Sequence, residues 1–146
     1  MPHVILAINP GATSTKLALY DDDVARETRT LRHTDEELGA FPRVVDQAAF
    51  RTDAVRSFLT DLGTAPAALS AVVARGGLLR PLSSGTYRVD DAMRADLRAG
   101  ERGLRHVVIE ASQSFNTIHN FPAGKPIYVT PPGDMQSDLV FSDGNK

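Results

Sequence analysis

A short apolar run near the start of the chain limits the folds open to it. His3-Val4-Ile5-Leu6-Ala7-Ile8 is short, apolar and rich in β-branched residues, and it closes on Asn9-Pro10-Gly11. A run of that length bounded by turn residues predicts a buried strand ending in a tight turn. After the small residues Ala12-Thr13-Ser14-Thr15, the segment Lys16-Leu17-Ala18-Leu19-Tyr20 alternates and ends in Asp21-Asp22-Asp23, which predicts an antiparallel return. The two make a hairpin whose first strand belongs in the core. A third strand over Val24 to Arg32 puts Thr28, Thr30 and Arg32 on one face and Glu27, Arg29 and Leu31 on the other. The three consecutive aspartates read as a solvated hairpin turn rather than a metal site.

From Asp35 the spacing of Leu38, Phe41, Val44, Val45, Ala48 and Ala49, then Val55, Phe58, Leu59 and Leu62, is helical and ends at Gly63. Pro42 and the stretch Phe50 to Asp53 are expected to divide it into two helices, with Thr52 or Asp53 as an N-cap. Ser70-Ala71-Val72-Val73-Ala74 is a second buried strand and runs straight into Arg75-Gly76-Gly77. A strand at Thr86 to Val89, a helix from Asp90 or Asp91 to Arg98 stopped by Gly100, and a strand at Ile127 to Thr130 complete the legible elements. Val107 to His119 shows no clean period, Phe121 to Pro126 reads as a loop, and Ser142 to Lys146 as a frayed end.

The 146 residues amount to one domain's length, so a single unit over 1–146 with one core is expected. Sixteen Lys and Arg against eighteen Asp and Glu leave a net charge of −2, which supplies no broad footprint for nucleic acid or an anionic membrane. Any anion must be held locally. The absence of cysteine excludes disulfides, thiolate metal sites and cysteine nucleophiles. The early apolar run is too short for a membrane span or a secretory signal, so a cytoplasmic location is expected.

Two places carry chemistry. Asn9 to Lys16 combines small residues that let backbone N–H groups approach a ligand, hydroxyls on Thr13, Ser14 and Thr15, and the Lys16 cation, which are the requirements of a phosphate binder. The spacing is not that of a Walker A loop, and a strand follows instead of a helix. An ordinary hairpin turn with self-satisfied hydroxyls accounts for the same residues. Arg75-Gly76-Gly77 places a guanidinium at a strand exit, with glycines that admit a carboxylate or phosphoryl group. A loop arginine paired with a surface aspartate is the competing explanation.

Val4 to Asp22 (VILAINPGATSTKLALYDD), His33 to Phe41, Val45-Asp46-Gln47 with Phe50-Arg51, and Ala71 to Val89 (AVVARGGLLRPLSSGTYRV) resemble, in order and in register, the N-terminal part of the butyrate kinases. These are a branch of the acetate kinase group within the sugar kinase, Hsp70 and actin superfamily. The resemblance covers about residues 4–103. It implies an α/β, RNase H-like (actin-like ATPase) N-terminal domain with a mixed sheet and helices. It also implies ATP with Mg as phosphoryl donor and transfer to a short-chain carboxylate, giving an acyl phosphate such as butanoyl phosphate from butanoate. On this resemblance Asn9 and Arg75 are catalytic, with Asn9 near the metal. Ser14 and Lys16 correspond to the family's phosphate-loop hydroxyl and cation and Arg75 to its substrate-contacting arginine, while the residues themselves add Gly11, Thr13 and Thr15 to the phosphate-binding set and Gly76 and Gly77 to the substrate side.

The likeness ends near Arg105. From His106 onward the chain diverges, the expected strand-end carboxylate is replaced near Pro131, and the second lobe of the superfamily is missing, so the isolated chain is expected to be inactive or nearly so. His106 itself reads as a structural histidine. The alternative is a non-catalytic anion-binding or assembly domain that keeps the fold. Apolar residues after about 106, among them Phe115, Ile118, Phe121 and Ile127 to Val129, predict a homo-oligomer or a tail folded back on the open side of the sheet, against the alternative of a self-contained monomer whose tail completes the core.

Overall fold

The computed structural model describes residues 1–75, 86–99, 117–120 and 127–130. Its frame is a mixed seven-stranded sheet of the described residues with helices beside it, an α/β arrangement. The opening hairpin forms as the alternation requires. β1 (Val4–Pro10) pairs antiparallel with β2 (Ser14–Asp21), with Leu6 opposite Leu19 and Ile8 opposite Leu17. β2 continues into the edge strand β3 (Val24–Arg32) through a turn in which Asp22 adopts φ 55°, a conformation aspartate tolerates. The Asp22 carboxylate accepts from the His3 amide at 2.7 Å, so the acidic run closes a turn as expected. A bulge between Leu19 and Tyr20 shifts the β2–β3 register.

β4 (Ala71–Arg75) runs parallel to β1 on its other side, with Leu6 beside Val72 and Ile8 beside Ala74. Beyond it lie the short strands β6 (Thr117–Asn120), β7 (Ile127–Thr130) and β5 (Tyr87–Arg88), giving the order β3-β2-β1-β4-β6-β7-β5. Strand alternation sorts the sheet into two faces. Leu6, Leu17 and Leu19 form one face with Val4, Ile8, Leu31 and Val72, and there Phe58 and Leu59 of the long helix pack to make the core together with Leu69. The opposite face carries Ala7, Asn9, Lys16, Ala18, Thr28 and Thr30.

The helical segment departs from expectation. α1 (Asp35–Gly39) is capped by Thr34, whose hydroxyl accepts from the Glu37 amide while the Glu37 carboxylate accepts from the Thr34 amide. The break falls around Pro42 as predicted, followed by a 3-10 turn over Val44–Gln47. Phe50 to Asp53 divides nothing: α2 (Ala48–Asp61) passes through it unbroken. Thr52 is not an N-cap, because its hydroxyl donates back to the Ala48 carbonyl at 2.7 Å. α2 ends at Gly63, which takes φ 62°.

The predicted strand at Thr86 to Val89 is shorter, Tyr87–Arg88, and α3 (Asp91–Ala99) is capped by the Asp90 carboxylate on the Met93 amide at 2.8 Å. β6 lies at the end of the stretch that reads as without period, held between β4 and β7 by antiparallel pairing. Gly76, Gly77, His106, Pro131 and the end of the chain lie outside the described residues. Among those described, no helix is long and apolar enough to cross a membrane.

Candidate functional site

The ladder dictates what meets at the sheet edge. β1 and β4 run parallel and their C-terminal ends emerge side by side, while β2 begins on the other side of β1. Asn9 is opposite Lys16, and Lys16 is opposite Thr30. Arg75, one residue past the Ile8–Ala74 pair, places its Nη1 3.5 Å from Asn9 Oδ1. Asn9, Lys16 and Arg75 therefore share one face, the one turned away from the core. They border an open trough of about 390 Å³ whose floor is Ala7, Ala18 and Val73 and whose far wall is Thr28 and Thr30. The small floor residues leave the space, and the cations mark one end of it. Lys16 is exposed and makes no ion pair among the described residues.

The turn itself is tighter than expected. β1 ends at Pro10 and β2 begins at Ser14, so the connection between the strands is only Gly11 to Thr13. The Gly11 amide donates to Ser14 O at 2.7 Å, and a Cβ on Gly11 would stand 3.3 Å from that same oxygen and from Ser14 Oγ. Glycine is what permits this approach. The Thr13 carbonyl accepts from the His33 amide at 2.9 Å.

Beneath the turn is a layer that sequence reasoning missed. Arg51, on α2, donates through Nε to Gln47 Oε1 at 3.0 Å, through Nη1 to Ser14 O at 3.1 Å and Thr15 Oγ1 at 2.8 Å, and through Nη2 to Gly11 O at 2.9 Å and Ala12 O at 3.3 Å. Thr15 is buried, and its hydroxyl is also 2.8 Å from His33 Nε2. Thr15 Oγ1 thus accepts from Arg51 Nη1, and in the tautomer with Nε2 unprotonated its O–H donates to His33. Burial first, and the Arg51 charge second, hold His33 below the ordinary histidine range, with Glu37 opposing. The His33 ring meets Phe50 edge-on at 5.0 Å, and Phe50 lies 5.6 Å from Phe41.

The residues singled out by sequence thus separate. Asn9, Lys16 and Arg75 converge on the trough, Ser14 shares their side of β2, and Gly11 and Thr13 form the exposed turn that joins the strand ends carrying Asn9 and Lys16. Thr15 faces the other way, into the Arg51–His33 layer. The signal that could have found Arg51 is its i,i+4 spacing from Gln47, at the entry to α2.

No family model matches the chain. Curated proteins do, among them two each described as a probable butyrate kinase: one from Clostridium botulinum strain Eklund 17B / Type B, one from strain Alaska E43 / Type E3. Each is 43% identical over 103 residues, which is 70% of this chain and 29% of the relative. The chain therefore spans less than a third of the length of the relatives it matches. Over that shared stretch, this chain is a homologue of the probable butyrate kinases.

Proposed function

We propose that the chain carries the phosphate-binding side of a butyrate kinase-like phosphotransferase, on an RNase H-like N-terminal lobe. Lys16 and Arg75 neutralise phosphoryl oxygens, the turn Gly11 to Thr13 with Ser14 offers donors, and Arg75 orients the carboxylate of a short-chain acid. ATP is the donor. A carboxylate oxygen forms the new bond to the terminal phosphorus as the bond to the ADP oxygen breaks, so acyl phosphate and ADP leave. Such a reaction needs positioning and charge neutralisation more than covalent help, which suits a site built of cations and amides. The observation that carries the reading is the convergence of Lys16 and Arg75 on Asn9 at one end of an open trough.

Phosphates fit that end of the trough. A protein-held magnesium fits less well: the described residues hold no group of three acidic or histidine ligands, and Asn9 Oδ1 already faces a guanidinium. The metal would instead ride on the donor's phosphates. The isolated chain is expected to bind phosphate without turning over, and the whole reaction is expected to require more of the enzyme than this sequence supplies.

Calorimetric titration with ATP tests the reading. Losing one charge-assisted contact at an exposed edge should weaken binding about three- to tenfold in Lys16→Ala and in Arg75→Ala. Binding indifferent to both substitutions would favour a domain that kept the fold for assembly.

A further inference from the structure

Every N–H of the Arg51 side chain has an acceptor. A guanidinium carries five N–H bonds, and the five acceptors are Gln47 Oε1, Ser14 O, Thr15 Oγ1, Gly11 O and Ala12 O. None is a carboxylate, so the arginine is not there to form an ion pair. Three are consecutive or near-consecutive carbonyls of the turn. A trans peptide is planar, with its C=O and the following N–H pointing in opposite directions. Drawing Gly11 O down onto Arg51 therefore turns the Ala12 N–H away from it, and drawing Ala12 O down does the same for the Thr13 N–H. Away from Arg51 is solvent: Ala12 and Thr13 are exposed, and neither amide donates within the turn's hydrogen bonds among the described residues.

We propose that Arg51 is the positioning residue of the anion site, gathering the turn's carbonyls on the side that faces α2 so that the Ala12 and Thr13 amides face the other way as paired donors to phosphoryl oxygens. The inference rests on the phosphate reading of the turn and adds what creates the donor geometry. Successive outward amides make an anion-binding concavity, and the guanidinium adds positive potential from below without touching the ligand. Arg51 does not itself reach the anion, because doing so would mean releasing a carbonyl. Gln47, buried at the helix entry, fixes the Nε side of the fork.

The test is a titration of the 15N-labelled full chain with inorganic phosphate, following the Ala12 and Thr13 amide resonances. The unmutated chain should show saturable shifts at both. Arg51→Lys keeps the charge but not the planar fork, and should weaken that response about tenfold, while the resonances of buried Leu17, Leu19 and Phe58 stay dispersed. A folded Arg51→Lys variant with full affinity overturns the positioning role and leaves the anion site standing. No saturable shift in the unmutated chain overturns the site itself, and with it the inference. If the variant does not fold, exchange in the unmutated chain decides. The Arg51 guanidinium hydrogens should exchange slowly, and the Ala12 and Thr13 amides fast until phosphate slows them. A freely exchanging guanidinium would overturn the proposal.

Discussion

Thr15 Oγ1 and His33 Nε2 are joined by a hydrogen bond of 2.8 Å in the layer under the turn, and the ring is held neutral there by burial and by Arg51. The consequence is a pH dependence whose sign is fixed. The folded-state pKa lies below the unfolded value of about 6.5, so the unfolded chain binds more protons as pH falls through that window. His33 contributes stability that is complete above the unfolded value and is lost as pH falls through the lowered folded value. Urea midpoints at neutral and mildly acidic pH should show this loss, and His33→Gln should reduce it. An unchanged acid dependence in the variant would remove His33 as its source.

Leu19 is fully buried between the sheet and α2, and Phe58 is 1% exposed against it. Leu19→Ala should cost about 2–5 kcal/mol in denaturant unfolding, since it leaves a cavity as well as losing transfer energy. Ala18, its neighbour on the trough face, should accept Ser at well under half that cost. Equal losses at the two positions would mean that the assignment of the faces is wrong.

Gly63 ends α2 at φ 62°, where an L side chain is strained even though an added Cβ would meet nothing within 4 Å. Gly63→Ala should therefore destabilise by about 1 kcal/mol through backbone conformation alone. A neutral or stabilising result by thermal unfolding would show that the helix end relaxes.

β2 and β3 were legible because period-two alternation is local, and the faces it implies are the faces observed: Leu17, Leu19 and Leu31 inward, Thr28 and Thr30 outward. β1, expected as a wholly buried strand, buries only Leu6 and turns Ala7 and Asn9 to the open trough. The convergence of Arg75 with Asn9 was legible too, because parallel strands ending at one edge share a crevice. Arg51 was not. Most of its partners are backbone carbonyls, which leave no trace in residue types, and its role depends on a turn about 40 positions away in sequence. Thr52 misled for a different reason. A threonine hydroxyl serves equally as a cap or as a back-bond to the preceding helical turn, and only the path of the chain decides. β6 escaped because four residues are too few to show a period, and its strand conformation comes from pairing with β4 and β7.

The proposed function stands on phosphate binding at the Gly11 to Thr13 turn beside Lys16 and Arg75. A crystal structure of the chain with bound pyrophosphate tests it most directly. Phosphoryl oxygens should lie within hydrogen-bond reach of the Ala12 and Thr13 amides and of the Lys16 ammonium, with Arg75 still directed into the same trough. Pyrophosphate bound elsewhere on the chain, with the turn's amides hydrated and Arg75 turned from Asn9, would contradict it.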